Sequence, residues 1–373
     1  IDEAASSLID IVFMGKLDGQ GHRIYTEGEL LPALFTGAKH AYIKNLSLEG
    51  TAMQLPAKTV NNTEVENVSY TKFERNIYTV DDFVGIGDDL QRGVDTFHLM
   101  ADLDFTEWSA ANEAATTKAV SVVTQLMSGT ATSPKVLNGN GHTITGLTGA
   151  SLFANVHNAD INNLTIRDCS NLQDVARGQQ HGILARRSLN SKFSDLFFDN
   201  VQLRGKMRIG FVSGDDGWMG VNGVTAQGSQ FRRIQVTNGK LTCGTSAVSA
   251  QSGYAGFITG WMLTGSAEDI FVQGSLATYG AKCGGVVGAV RTSAQLNRCV
   301  SKVDLGIGVV GVATKVGVLL GDIEAENYDA ANTRVSNCVG LGRPTPSQGE
   351  FSFPANAGWR LAGYTAAGAG GAF

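Results

Sequence analysis

Leu137-Asn138-Gly139-Asn140-Gly141-His142-Thr143-Ile144 repeats, 120 residues on, the earlier stretch Leu17-Asp18-Gly19-Gln20-Gly21-His22-Arg23-Ile24. Both copies continue in parallel. Leu34-Phe35 answers Leu152-Phe153, and Ala41-Tyr42-Ile43-Lys44-Asn45-Leu46 answers Ala159-Asp160-Ile161-Asn162-Asn163-Leu164. The chain therefore holds two copies of one opening module, and internal self-similarity of this kind is the signature of stacked, repeated architecture.

Downstream of the second copy two shorter motifs alternate. A small-apolar motif recurs as Gly182-Ile183-Leu184, Gly210-Phe211-Val212, Gly256-Phe257-Ile258, Gly285-Val286-Val287 and Gly317-Val318-Leu319. Each is followed by apolar-x-x-apolar-x-apolar: Phe193/Leu196/Phe198, Phe231/Ile234/Val236, Ala267/Ile270/Val272, then Leu296/Cys299 and Val335/Cys338 with the last position degraded. These runs are too short for helices, rich in β-branched and aromatic residues, and punctuated by Gly, Asn and Ser. Helical periodicity is nearly absent. One such period cannot bury its apolar face alone, whereas coiling periods on top of one another stacks like residues into a continuous core. The expected fold is all-β, a right-handed parallel β-helix with rungs of about 28–32 residues. The hand follows from the preference for right-handed crossovers between parallel strands.

The expected organisation is a partial first module over 1–75, a main repeat array over 76–345, and a C-terminal cap or Gly/Ala-rich tail over 346–373, with the junction near Tyr70–Tyr78. Only one rung fits between residues 13 and 70, so an N-terminal cap or a longer parent chain is expected to precede residue 1. Of the 373 residues 17% are charged and 47 are Gly, the net charge is -5, and no apolar run is long enough to span a bilayer. An acidic balance without clustered Lys and Arg argues against a nucleic-acid-binding surface, and no nucleic-acid partner is expected. Five cysteines show no CxxC pair and no zinc-like His spacing, so no metal site is expected.

The strings Phe97-His98-Leu99-Met100-Ala101-Asp102-Leu103-Asp104-Phe105, then Trp108, then Leu137 to Ile144 resemble the start of GLUG-type β-helix repeats. Those repeats occur in secreted bacterial surface adhesins and in the non-catalytic part of IgA-cleaving metallopeptidases. The Gly-apolar-apolar-x-Gly strings at Gly210–Gly214, Gly256–Gly260 and Gly317–Gly321 are similar to the repeat itself, as are Arg298-Cys299 and Asn337-Cys338. The resemblance implies a scaffold and an extracellular setting, on a cell or virion surface. It implies no catalytic residues, and the absence of HExxH means that peptidase activity is not implied either.

Candidate sites follow from what stacking would align. The edge after the Gly-apolar strand carries Arg186-Arg187, then Asp215-Asp216 with Trp218, then Trp261, then Arg291, then Asp322 and Glu324, and the Asp215-to-Gln230 insertion protrudes beside it. Exposed Trp beside Arg and Asp suits a sugar, the ring packing on the pyranose face while charged groups bond its hydroxyls. The bland alternative is that the rings cap the core and the charges form a solvated face. Cys299 and Cys338 occupy equal places in neighbouring rungs, about 4.8 Å apart, which makes them a candidate disulfide against the alternative of two buried thiols. His22 and His142 are expected to be repeat residues, and Asp102 with Asp104 fold residues.

The leading expectation is an extracellular adhesin or receptor-binding module for a cell-surface glycan or protein, as part of a larger chain or a homotrimer. The alternative is a phage tail-spike-type polysaccharide lyase or hydrolase using Asp215, Asp216 and Arg186, and the last is a structural spacer. Asp215 or Asp216 would lie about three rungs, roughly 14 Å, from Asp322 or Glu324, wider than the 5–9.5 Å of glycosidase carboxylate pairs. No cofactor is expected beyond structural calcium.

Overall fold

A computed structural model of the chain describes residues 9–26, 33–50, 55–70, 74–91, 94–112, 120–127, 134–172, 180–217, 227–244, 253–279, 282–309, 315–323, 334–342 and 344–346. The chain divides into two compact units, residues 1–77 with 85–98, and 78–84 with 99–373. Both are built of parallel strand ladders. Three short helices, α1 (Val80–Val84), α2 (Ile86–Gln91) and α3 (Thr106–Asn112), complete the described secondary structure.

In the first unit Lys16–Asp18 pairs with Tyr42–Gly50, which pairs with Glu64–Tyr70, so Leu17, Ile43 and Val65 share one column. A second ladder runs Ile9–Phe13, Ala33–Lys39, Leu55–Asn61. Three stacked passes of chain thus fill the segment for which a single rung was expected. The passes are shorter than 28–32 residues: His40 bonds Asn62 across a step of 22. The core is Leu34, Phe35, Ala38, Ile43, Leu46 and Leu48, with Phe13 stacked on Phe35 at 4.7 Å.

In the second unit the apolar motif aligns as periodicity predicts. Ile161, Phe193, Phe231, Ala267, Leu296 and Val335 form one column, and Leu164, Leu196, Ile234, Ile270 and Cys299 the next. Column members are buried through Leu296 and Cys299, and Phe193 stacks flat on Phe231 at 5.2 Å. Burying a large apolar side chain contributes roughly 1.5–3 kcal/mol. Stacking residues of one shape lets every turn collect this without a bespoke core. The step between paired strands varies, being 24 residues between Leu137 and Ile161 and 46 between Asp215 and Trp261, because insertions sit outside the ladder.

The glycine ladder Gly182–Gly210 pairs in register, and Gly256 pairs with Gly284, which pairs with Gly317. The sequence expectation matched Gly256 with Gly285 and was one residue late, because the Gly284-Gly285 doublet hides the register. The two copies of the opening module adopt one geometry. Gly19 N donates to Lys44 O and Gly139 N to Asn162 O, both at 2.8 Å. Gln20 and Asn140 both have φ 51°, followed by Gly21 at 79° and Gly141 at 80°. A Cβ on Gly139 would stand 2.3 Å from Asn163 O, so the close approach of successive turns there requires glycine.

Corners elsewhere are made by left-handed residues that are mostly Asn and Asp, whose short polar side chains tolerate that region. Along one exposed corner Asp195, Arg233, Asp269 and Arg298 follow one another with φ between 51° and 57° and alternate in charge. Arg233 grips Asp195 with two bonds of 2.6 Å, and Arg298 grips Asp269 at 2.6 and 2.9 Å.

Helix α1 opens on a capping box. Asp82 N donates to Thr79 Oγ1 at 3.1 Å, while Asp82 Oδ2 accepts from Thr79 N at 3.0 Å. Its Phe83 is buried edge-on against Phe105 at 5.6 Å. Asp104 accepts from the Thr106 backbone and hydroxyl at the start of α3, and Asp102 accepts from Thr143 N and lies 3.1 Å from His142 Nδ1. The two carboxylates are occupied in holding the fold.

Candidate functional site

The stripe read from the sequence is brought together by the ladder but not presented to solvent. Arg187 pairs with Asp215, Asp215 with Trp261, Trp261 with Ala289, and Ala289 with Asp322, so Asp215 and Asp322 stand three turns apart as expected. Yet Asp215 and Asp216 are 0% exposed, Asp322 1% and Trp261 2%. The expectation of exposed sugar-binding groups at these positions is therefore corrected. A neighbouring short ladder, Arg208 to Tyr254 to Lys282, folds over the stripe and covers it.

The covering is chemical as well as steric. Arg208 Nη1 lies 2.5 Å from Asp215 Oδ2, and its guanidinium stacks 4.2 Å over the Trp261 ring. Arg291 reaches the same ring from 5.9 Å. Lys282 sits over Tyr254 and binds Asp322 at 2.7 Å. Arg186 and Arg187, both half-buried, donate to the main-chain and side-chain oxygens of Gln180 at 3.2 and 3.0 Å. The result is an interior chain of cation, anion and ring that ties five turns together.

Burial pushes the Asp215 carboxyl up to about 6 despite the opposing pull of Arg208. Asp216 is pushed up to about 7, also by burial, while Ser188 Oγ at 2.7 Å and Ser229 N at 2.8 Å donate to it. Asp216 thus ties the start of the Asp215-to-Gln230 insertion to Ser229 near its end. The insertion's Trp218 lies outside the described residues, as does Glu324. Nearby, His181 is 1% exposed and held down to about 3 by burial. Cys299 and Cys338 are free thiols in this structure.

A feature the sequence did not disclose lies on another face of the second unit. An open groove of about 810 Å³ crosses five consecutive turns. The first turn contributes Arg167 and Asp168, and the second Asp199 and Asn200. Asn238, Gly239 and Lys240 follow, then Gln273, Gly274 and Ser275, and finally Lys302 and Asp304. Four steps of about 4.8 Å give a length of roughly 19 Å. Three cations face three carboxylates, and no aromatic or large aliphatic residue lines the groove.

The groove is made by a corner. Asp168, Asn200 and Asn238 take left-handed φ of 52°, 51° and 53°, which turns the chain and leaves their side chains outside. Asn200 Nδ2 donates to Asp168 Oδ1 at 2.6 Å, and Asn238 Nδ2 to Asp199 Oδ1 at 2.9 Å, so the amides bridge successive turns. Hydrogen bonds from Thr237 and Asn238, with Arg167 beside it, hold the Asp199 carboxyl below its usual range. Lys240, Ser275, Lys302 and Asp304 project into solvent. The recurrence of Asp or Asn at this corner was the available signal. Among the described residues no group of three His, Cys, Asp or Glu side chains is placed to hold a metal ion.

No protein-family model and no curated protein matches the sequence. Among solved structures the chain is similar to one described as a "putative immunoglobulin A1 protease from Bacteroides ovatus". The identity is 16% and the TM-score 0.50, covering 76% of this chain and 80% of that one. At that identity the likeness is one of fold. No helix of the described residues is long and apolar enough to cross a membrane.

Proposed function

We propose that the second unit is a right-handed parallel β-helix of GLUG-like repeats that serves as an extracellular, non-catalytic binding module. Its ligand is an extended surface glycan held in the five-turn groove. The observation that carries this reading is the groove itself: a polar trough of about 810 Å³ that follows the stacking direction and offers side-chain donors and acceptors at every turn. A ladder repeating every 4.8 Å or so is commensurate with a polymer whose units repeat at similar length. Balanced charge and the lack of an apolar lining favour hydroxyl-rich partners over polyanions or apolar peptides.

The fold likeness to the Bacteroides ovatus protein supports the scaffold part of the reading alone. The hand rests on the general rule for parallel crossovers. A polysaccharide-cleaving enzyme is less well supported. A general acid needs a raised pKa, whereas Asp199 in the groove is lowered, and the raised acids Asp215 and Asp216 have no exposed surface. The test is a glycan array probed with the full chain and with a Lys240→Ala/Lys302→Ala variant of unchanged circular dichroism. Binding that the double substitution abolishes supports the module. Binding to no glycan refutes it, and release of reducing ends points to the enzyme.

A further inference from the structure

The column Leu164, Leu196, Ile234, Ile270 is aliphatic for four turns and then changes to Cys299 and Cys338 in the next two. Flanking pairs fix the thiols opposite one another: Asn297 with Ser336 on one side, Val300 with Val339 on the other. Cys338 Sγ accepts from Cys299 N at 3.4 Å. In-register neighbours on adjacent parallel strands are about 4.8 Å apart, inside the 4.4–6.8 Å Cα range that a disulfide spans. Cys299 is fully buried and Cys338 half-exposed.

We propose that Cys299 and Cys338 form a thiol–disulfide couple that staples the turn containing Arg334–Ser336 and Val339–Gly340 to the turn before it. That turn is held by short pairings only, and its Val339 and Leu341 are 46% and 61% exposed, so a covalent link there restrains a segment with little packing of its own. Cys338 is the attacking group. It is half-exposed, and its thiol is lowered to about 7, chiefly by the Cys299 thiol beside it and further by the Cys299 backbone N–H, so a large share is thiolate near neutral pH. With glutathione disulfide as oxidant, the Cys338 thiolate attacks one sulfur and expels one glutathione thiolate. Cys299 then gives up its proton and displaces the second. Two protein thiols lose two electrons, and one glutathione disulfide becomes two glutathione thiols.

A second pair serves as an internal comparison. Cys243 lies against Cys283, but both are fully buried, so their oxidation must await local opening. The experiment is incubation of the reduced full chain with glutathione disulfide, quenching by alkylation in denaturant, which exposes every remaining thiol, and peptide mapping without reduction. The expected result is loss of two alkylatable thiols within the first phase and a linked Cys299–Cys338 peptide. A Cys299→Val variant, aliphatic like the Leu and Ile of the preceding turns, should instead accumulate glutathione on Cys338. Wild-type protein that keeps five alkylatable thiols, or that keeps a stable Cys338–glutathione adduct, overturns the proposal.

Discussion

Replacing Asp216 by Asn should change the pH dependence of stability more than stability itself. The carboxyl has no exposed surface, accepts from Ser188 Oγ and Ser229 N, and is raised from 3.8 to about 7 by burial. A raised folded pKa means that the folded state holds the proton where the unfolded state has lost it. Asp216 therefore stabilises most below about pH 4, and the contribution is lost as pH rises through 7. At 1.36 kcal/mol per unit, a shift of about three units is worth on the order of 4 kcal/mol, an upper figure because Asp215 beside it titrates in the same window. An amide cannot ionise. The Asp216→Asn variant should be less stable than wild type by about 1–2 kcal/mol near pH 4, from one weakened hydrogen bond. It should match or exceed wild type at pH 8. Urea unfolding followed by far-ultraviolet circular dichroism at the two pH values measures both differences. An equal stability difference at pH 4 and pH 8 would refute the reasoning, since it would mean that the carboxyl titrates alike in both states.

His181 should behave with the opposite sign. Its folded pKa is depressed to about 3, so its contribution is fully present above 6.5 and lost as pH falls toward 3. His181→Leu should therefore flatten the acid limb of thermal melts taken between pH 3 and 7. Phe231→Ala removes a fully buried ring stacked on Phe193 and should cost about 3–5 kcal/mol in urea unfolding at neutral pH. Arg233→Ala breaks a two-bond pair with Asp195 on an exposed corner and should shift the unfolding midpoint far less than Phe231→Ala, because surface pairs are screened.

The columns from Phe193/Leu196/Phe198 to Leu296/Cys299 were legible because parallel stacking aligns like with like, and apolar spacing records that directly. Register was lost where the sequence is degenerate, as at Gly284-Gly285, and rung count where steps shorten, as between His40 and Asn62. The helices run five to seven residues, too short to show a period, although the Thr79/Asp82 capping box was a local signal for the first. The alignment of Arg187, Asp215 and Trp261 could be read from the sequence, but their burial could not. Nothing in the spacing says that Arg208 and Tyr254, from another ladder, lie on top. The groove went unseen for a related reason. It is lined by corner residues such as Asn200 and Asn238 that read locally as turn formers.

The most direct test of the account compares two faces of the same unit in one binding assay. Titration of a glycan identified on an array against wild type, Lys240→Ala/Lys302→Ala and Arg291→Ala should show at least a tenfold loss of affinity, about 1.4 kcal/mol, for the groove variant alone. Loss of affinity with Arg291→Ala, and none with the groove variant, would contradict it and return the binding face to the stripe around Trp261.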